Sequence, residues 1–413
     1  MILSPALERA IAAYDSSAEA RILTVLGGTA YREGDLAKAR GLGERSLDLK
    51  IAIGMKAELW RSYNLLGLVA WQESRLSNAT DLFDKAAAAA VARAGADVRA
   101  VIAINRGLIF TDLGRFTEAR TAFEAGRDLS RSLPQSPRHD RLQGMALNNL
   151  GMLHVWIGDP AAAITVLQQA MPLYRSAGFV DGLLNALAQL GTAYTAMGEV
   201  GNAIAALDSA VALSRERGLK WDEAQNLQAL AEAYRAAGDH RRALDLYEQA
   251  EVINGEIGAV SDAGIAQRSR AEIYASLGDL RLARSVGETA LTTHRAAEAR
   301  WEELADLVLL ADVTQEAGDD VASRYYLRAA RRLVSTMDAR SARIDVALAE
   351  ARIAQRNGNP GDVVRILDAA RQDVTDAGYD VEAEVATLRA RALFTLDALD
   401  SAIAAGRRAV AAV

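Results

Sequence analysis

Residues 187–213 read LAQLGTAYTAMGEVGNAIAALDSAVAL, and the landmarks of this stretch recur along almost the whole chain. Gly191 serves as the anchor, with an aromatic residue three positions later at Tyr194 and a glycine seven positions later at Gly198. Small residues follow twelve positions after the anchor, at Ala203, and again nineteen positions after it. These fixed distances allow the rest of the chain to be aligned on this stretch.

The anchor returns every 40 residues, with one longer step of 44 residues between Gly107 and Gly151. A fixed period of this length is typical of stacked repeats, each of which packs only on its neighbours. The anchor positions are Gly27, Gly67, Gly107, Gly151, Gly191, Ala231, Ala271, Ala311, Ala351 and Arg391. Seven positions later stand Gly34, Ser74, Gly114, Gly158, Gly198, Gly238, Gly278, Gly318 and Gly358.

The spacing within one repeat predicts two helices. Leu187, Leu190 and Tyr194 form one apolar stripe at helical period in the first helix, and the glycine at Gly198 ends that helix. A second helix is expected from about position eleven to a further glycine 27 positions after the anchor, where a helix end favours the left-handed conformation. This last glycine is present at Gly54, Gly178, Gly218, Gly258 and Gly378.

The pattern resembles the tetratricopeptide repeat. Shared features are leucine before the anchor, an aromatic residue three positions after it, Gly-Asp or Gly-Arg closing the first helix, and alanine opening the second. The period of 40 residues departs from the family's usual length of about 34, and the usual proline near the repeat end is missing. The match is therefore most similar to the subclass with 40-residue repeats, as in bacterial regulators and kinesin light chains. Sixteen positions after the anchor, a large residue completes the pattern at Phe83, Phe123, Leu167, Leu207, Tyr247, Leu327 and Leu367.

This resemblance implies an all-α, right-handed superhelical solenoid of about ten helix-turn-helix repeats. Because the chain ends within the second helix of the tenth repeat, an apolar face is left uncovered there. We expect that more protein follows, that a partner covers this end, or that the end forms a homodimer. The predicted segments are a partial repeat and linker at 1–19, repeats one to three at 20–132, a loop with two prolines at 133–141, repeats four to seven at 142–297, and degenerate repeats eight to ten at 298–413.

Composition narrows the class of protein. The net charge of −7 and the lack of a basic stripe argue against direct nucleic-acid binding. The sequence contains no cysteine, which excludes disulfides and thiolate metal sites. No apolar run of membrane-spanning length and no signal-peptide pattern occurs, so we expect a cytoplasmic protein that does not enter membranes.

Catalytic motifs are sparse. None of the four histidines, His139, His154, His240 and His294, has a second histidine three to five residues away, and His154 fills an aromatic core position. Gly41 and Gly43 suggest a phosphate loop at first sight, but they fall inside a second helix with no strand before them, so helix packing explains them better. We therefore expect no catalytic residue, cofactor or metal, and no enzymatic activity.

Helical phase indicates instead a surface for binding a protein or peptide. Residues about 100–180° from the core stripe share a second face of each first helix, and in the resembled family this face lines a concave groove. Tryptophans and amides on it would supply anchors and backbone hydrogen bonds for a peptide. The predicted groove residues are Arg61, Asn64, Leu68, Trp71, Ile104, Leu108, Met145, Asn148, Met152, Trp156, Asn185, Gln225 and Gln228.

Two questions stay open at this point. Trp71 and Trp156 either bind a ligand or pack between repeats, whereas Trp221 and Trp301 share a position ten before their anchors and are expected to pack at the turn between repeats. The role of the whole chain is also open. It is expected to be a scaffold or sensor that binds a protein or peptide, or else the regulatory region of a larger signalling enzyme such as a CHAT peptidase or of a LuxR-type transcription activator.

Overall fold

The computed structural model describes residues 3–91, 94–337, 339–371 and 379–411, and these residues are almost entirely helical. The chain divides into two compact halves, Met1–Leu213 and Ser214–Val413. The first half contains α1 Leu3–Ala12, α2 Ser16–Arg32, α3 Leu36–Ala52, a 3-10 turn at Lys56–Glu58, α4 Leu59–Gln72, α5 Leu76–Val91, α6 Ala96–Asp112, α7 Phe116–Arg131, α8 Pro137–Trp156, α9 Pro160–Ser176, α10 Val180–Ala196 and most of α11 Val200–Glu216.

The second half continues the same alternation. Its helices are α12 Lys220–Ala236, α13 His240–Glu256, α14 Val260–Ser276, α15 Leu280–Ala296, α16 Arg300–Glu316, α17 Asp320–Val334, α18 Arg340–Arg356, α19 Pro360–Ala369, α20 Tyr379–Thr395 and α21 Leu399–Ala411. In both halves a first helix pairs with the second helix of its own repeat, which then packs on the first helix of the next repeat. The predicted all-α stack of helical hairpins is confirmed.

Several turns inside hairpins combine a left-handed residue with a helix cap. Gly158 has a φ of 76°, and Asp159 then accepts a hydrogen bond from the Ala162 amide at 3.0 Å. The glycine is suited to this φ because it has no Cβ, and the carboxylate satisfies an amide that the helix leaves unpaired. The same cap is made by Asp35, Asp239, Asp279 and Asp319.

The turns between hairpins use the second glycine as predicted. Gly54, Gly178, Gly218 and Gly258 all have φ values between 62° and 74°. Glu298 takes the same conformation in repeat seven, with a φ of 54°. Gly378 lies outside the described residues.

Two sequence-based boundaries are corrected. The loop expected at 133–141 is shorter, because Pro137 is the first residue of α8 and Ser136 caps that helix by accepting a hydrogen bond from the His139 amide. In the tenth repeat, the anchor is Ala390 and not Arg391. Asp397, which has a left-handed φ of 57°, then falls seven positions after the anchor, as the turn residue does in the other repeats.

Close packing at the anchor holds the hairpins of repeats two to five together. Gly191 in α10 lies against Leu207 in α11, which is fully buried, and a Cβ built at Gly191 would overlap with the Leu207 side chain. Gly107 and Gly151 face Phe123 and Leu167 in the same way. The small anchor thus lets a large residue of the second helix fill the interface.

We predict opposite effects for two Gly→Ala substitutions within one repeat. Gly191→Ala should lower the free energy of unfolding by about 1–3 kcal/mol, because the added methyl overpacks the contact with Leu207. Gly201→Ala, at an exposed position of α11 where a Cβ would meet nothing, should raise it by up to about 1 kcal/mol through helix propensity. Urea unfolding followed by circular dichroism tests both, and equal effects of the two changes would contradict this account of the anchor.

Candidate functional site

The predicted binding residues of the first half lie on its first helices. We call the surface made by Arg61, Asn64, Leu68, Trp71, Leu108, Met145, Asn148, Met152 and Trp156 the first-helix surface. Its residues belong to α4, α6 and α8, and α6 and α8 contact each other directly. Residues from repeats two to four therefore lie on neighbouring helices, although they are far apart in sequence.

Trp71 is anchored at the edge of this surface. Its indole Nε1 donates a hydrogen bond to Asp112 Oδ2, at the end of α6, over 2.5 Å. Its ring packs with Leu68 against a buried cluster that includes Phe83 and Ile109. Trp71 is half-buried, so it connects two repeats and also leaves part of its ring open to a ligand.

Leu108 and Met145 continue the apolar part of the first-helix surface toward repeat four. Both are half-buried and pack against the buried cluster around Phe123 and Leu150. Ile104 was expected beside them, but it is only 1% exposed and faces Gly126 of α7, where a Cβ would touch its side chain. The prediction for Ile104 is wrong. Gly126 has no side chain, so it leaves space in the core that the Ile104 side chain fills.

Amide side chains run along the same helices. Asn105 Nδ2 donates to Asn64 Oδ1 over 3.0 Å, which links α6 to α4. Asn148 is 8% exposed, and its Oδ1 is buried without a hydrogen-bond partner among the described residues. A buried carbonyl oxygen without a donor costs free energy, and this atom lies beneath the surface.

Met152 and Trp156 form the end of the surface. Met152 is half-buried, whereas Trp156, the last residue of α8, is 55% exposed. Arg61, at the opposite end, is exposed, and its guanidinium stacks on the Trp60 ring at 4.6 Å. Because Trp156 contributes little to the core, it is available for contact with another molecule.

The other predicted residues lie elsewhere. Asn185 is exposed on α10 of the first half, and Gln225 and Gln228 are half-buried on α12 of the second half. Gln228 Nε2 is buried without a partner among the described residues. Trp221, predicted to pack at a turn, is 54% exposed and donates through Nε1 to Asp262 at the start of the next first helix, over 3.1 Å.

The position directly after the anchor shows an order that sequence inspection missed. Each of these residues is partly or fully exposed on its first helix. In the first half they are apolar and then polar, namely Leu68, Leu108, Met152 and Thr192. In the second half they are acidic and then basic, namely Glu232, Glu272, Asp312, Arg352 and Arg391. Arg391 belongs to this series only in the corrected register of the tenth repeat, in which Ala390 is the anchor.

Comparison with known proteins identifies the architecture. Tetratricopeptide-repeat models match residues 98–176, 142–216 and 182–251 in one version and residues 4–55 and 229–299 in another, together more than half of the chain. The chain belongs to the tetratricopeptide-repeat family. No curated protein matches the sequence.

Solved tetratricopeptide-repeat structures resemble this chain at low identity. A signal-transduction ATPase with a tetratricopeptide-repeat sensor from Pyrococcus horikoshii is 15% identical with a TM-score of 0.59, and the match covers 78% of this chain and 48% of that one. The apo quorum sensor NprR from B. thuringiensis is 12% identical with a TM-score of 0.56, over 88% of this chain and 99% of NprR. A Rap protein complexed with Competence and Sporulation Factor is 12% identical with a TM-score of 0.54, over 95% and 97% of the two chains.

The buried ionisable side chains of this tetratricopeptide-repeat chain contribute to packing. The described residues contain no group of three or more His, Asp or Glu side chains placed to hold a metal ion. His154 is largely buried on α8, 3.7 Å from Asp159. Gly43, considered for a phosphate loop, lies in α3 against Leu66 of the next repeat, so it is a packing residue. No described helix has the length and apolar character needed to cross a membrane.

Lys50 is a buried amine between repeats one and two. It is fully buried, and its Nζ donates to Thr24 Oγ1 over 2.7 Å and to Ser62 Oγ over 3.0 Å. Burial lowers the pKa of Lys50 to about 8, while the nearby Glu58 carboxylate acts in the opposite direction. The folded protein therefore holds this proton less tightly than the unfolded chain does.

Lys50 should make stability increase with pH. Between pH 8 and about 10.5 the unfolded chain binds more protons than the folded one, so the penalty is complete below pH 8 and disappears as pH rises through this window. We predict that Lys50→Met raises the free energy of unfolding at pH 7 by about 1 kcal/mol and removes this pH dependence. Urea unfolding from pH 7 to 10.5 measures it. Lys85→Met, at an exposed ion pair with Asp81, is the control that should keep the dependence, and an unchanged slope in Lys50→Met would contradict the prediction.

His294 and Asp306 form a buried pair between repeats seven and eight. Both side chains are fully buried, with His294 Nδ1 2.5 Å from Asp306 Oδ2 and His294 Nε2 3.1 Å from the Ser261 carbonyl oxygen. Since a carbonyl can only accept, Nε2 must donate, and the remaining proton is shared by Nδ1 and the carboxyl group. Burial raises the pKa of Asp306, against the lowering effect of the His294 hydrogen bond.

The next junction provides a natural replacement for this pair. Val334 and Val346 occupy the equivalent positions between repeats eight and nine, and both are buried. We predict that Asp306→Val alone lowers the free energy of unfolding by about 3 kcal/mol, because it leaves a buried imidazole without its partner. The double variant His294→Val/Asp306→Val should recover more than half of that loss. Chemical unfolding of both variants tests this, and a double variant as unstable as the single one would disprove it.

Proposed function

We propose that this chain is a protein-interaction module that binds a peptide or an extended protein segment on the first-helix surface. The carrying observation is the combination of half-exposed Leu68, Trp71 and Met152 with amides whose hydrogen-bonding capacity the fold does not use fully. Apolar and aromatic side chains supply affinity at such surfaces, and amides bind the backbone of a peptide. A scaffold of this kind does not require a cofactor.

The roles of the two tryptophans in this proposal differ. Trp71 is fixed by its hydrogen bond to Asp112, so it offers a rigid surface that loses little conformational entropy on binding. Trp156 has 55% of its surface exposed and makes no hydrogen bond to the described residues, so it is free to close over a ligand. Asn148 lies one helical turn before Met152 on α8 and is largely buried beneath this part of the surface.

The module's wider role is proposed as sensing. The structures that resemble this chain include one described as having a tetratricopeptide-repeat sensor and one described as complexed with Competence and Sporulation Factor. The chain spans about half the length of the signal-transduction ATPase it resembles. We propose that the ligand changes how this chain engages a signalling partner, either as a separate adaptor or as the regulatory region of a larger protein.

Peptide selection tests the binding site. Random peptides selected against the whole chain should be enriched in aromatic or aliphatic anchors, and Trp156→Ala should weaken their binding at least tenfold, a loss of about 1.4 kcal/mol or more typical of an interface hot spot. Fluorescence polarisation with a labelled selected peptide gives the dissociation constants.

The matched control is Trp221→Ala. Trp221 is exposed to the same degree as Trp156, 54% against 55%, but it lies on the second half, outside the first-helix surface. Its replacement should leave peptide affinity unchanged. Failure to select any peptide, or equal affinity for the wild-type and Trp156→Ala proteins, would refute the proposed site.

A further inference from the structure

A cavity of about 500 Å³ lies between the first helices of repeats nine and ten. Three arginines converge on it, Arg352 and Arg356 from α18 and Arg391 from α20. The rest of the lining is Gln355, Ala383, Glu384, Thr387 and Leu388. The cavity belongs entirely to the second half and is separate from the first-helix surface.

Two of the arginines are positioned by carboxylates. Arg352 Nη1 donates to Glu384 Oε1 over 3.0 Å, and Arg356 Nη1 donates to Asp312 Oδ1 on α16 over 3.1 Å. Asp312 Oδ2 also lies 3.9 Å from Arg352 Nη2. These pairs hold the guanidinium groups in place, yet each guanidinium has five N–H donors and uses only a fraction of them here. Arg352 Nε is itself buried without a partner among the described residues.

Arg391 has no such structural use. It is exposed, and its side chain makes no hydrogen bond or ion pair with the part of the chain that the structure describes, although it borders the cavity. It occupies the position after the anchor, the one that in the preceding repeats presents Asp312 and Arg352 at the same surface. Its charge is therefore available to something that enters the cavity.

The charge of the cavity lining favours an anion. Among the charged residues that line the cavity itself, Arg352, Arg356 and Arg391 are positive and Glu384 is negative, while the carboxylates of Asp312, Glu316 and Asp345 lie outside the lining and interact electrostatically with these groups. This arginine cluster lies in a region, residues 301–413, whose own net charge is negative. Guanidinium groups bind carboxylate and phosphate oxygens in paired hydrogen bonds, which a lysine would not form in the same geometry.

We propose that this cavity binds an organic oxyanion, a carboxylate or phosphate group carried by a small ligand. Arg391 and the free N–H groups of Arg352 and Arg356 hold the anionic oxygens. Thr387 and Gln355 supply further hydrogen bonds, and Ala383 and Leu388 contact the carbon skeleton. The volume of about 500 Å³ exceeds the needs of a bare ion, which favours an oxyanion attached to a larger group. The proposal does not depend on peptide binding at the first-helix surface.

The test is calorimetric titration of the whole chain at low ionic strength with two probes, pyrophosphate for phosphate ligands and tricarballylate for carboxylate ligands. At least one probe should bind with one-to-one stoichiometry, and added salt should weaken the binding. Arg391→Gln should reduce its affinity at least tenfold without changing the melting temperature, since the Arg391 side chain makes no hydrogen bond or ion pair with the described residues. Arg356→Gln should also weaken binding.

Arg365→Gln is the matched control. Arg365 has a 70% exposed side chain on α19, pairs among the described residues only with Asp362 and does not border the cavity, so its loss should leave binding unchanged. Preference for pyrophosphate or for tricarballylate then distinguishes the two ligand sources. Absence of saturable binding by both probes would overturn the proposal, as would equal binding by the Arg391→Gln and wild-type proteins.

Discussion

The close approach of the two helices within each hairpin is the contact on which the rest of the structure depends. A glycine or alanine at the anchor leaves room for one large side chain of the second helix, such as Phe123 against Gly107 or Leu207 against Gly191. Both partners must be matched, because a core at crystal-like density tolerates neither a gap nor an added methyl group. Once this contact is made, the second helix can pack on the first helix of the next repeat, and the stack can continue.

The junctions between hairpins satisfy the same geometric requirement with different chemistry. At one equivalent pair of positions the chain places Lys50 with Ser62, His294 with Asp306, and Val334 with Val346. Apolar pairs stabilise the junction by burial alone, whereas a polar residue is tolerated only if its partner completes its hydrogen bonds. The variety shows that the helical framework sets the position and that pairing, more than residue type, decides whether the junction is stable.

Because hairpin and junction contacts use most faces of each first helix, the remaining face is free to vary. The position after the anchor shows this most clearly, since it changes from Leu68 and Leu108 in the first half to Glu232 and then Arg352 in the second. A side chain at this position is at most partly buried, so the exposed part of it can serve recognition. The apolar first-helix surface in the first half and the arginine-lined cavity in the second half both include residues at this variable position.

The sequence by itself determined the repeat, its period, the two helices, the turn glycines and the family, because each depends on residues at fixed short distances along one helix or turn. It also placed Trp71, Leu108 and Met152 on a common helical face. Only the tertiary structure decided that Ile104 is drawn inward by Gly126, that Pro137 begins a helix, and that Ala390 replaces Arg391 as the tenth anchor. Likewise, only it paired His294 with Asp306 and brought three arginines to one cavity. The features at Pro137 and Ala390 are set by a local helix cap and a local turn. The others depend on contacts between different helices, and a periodic pattern carries no information about which side chains meet across them.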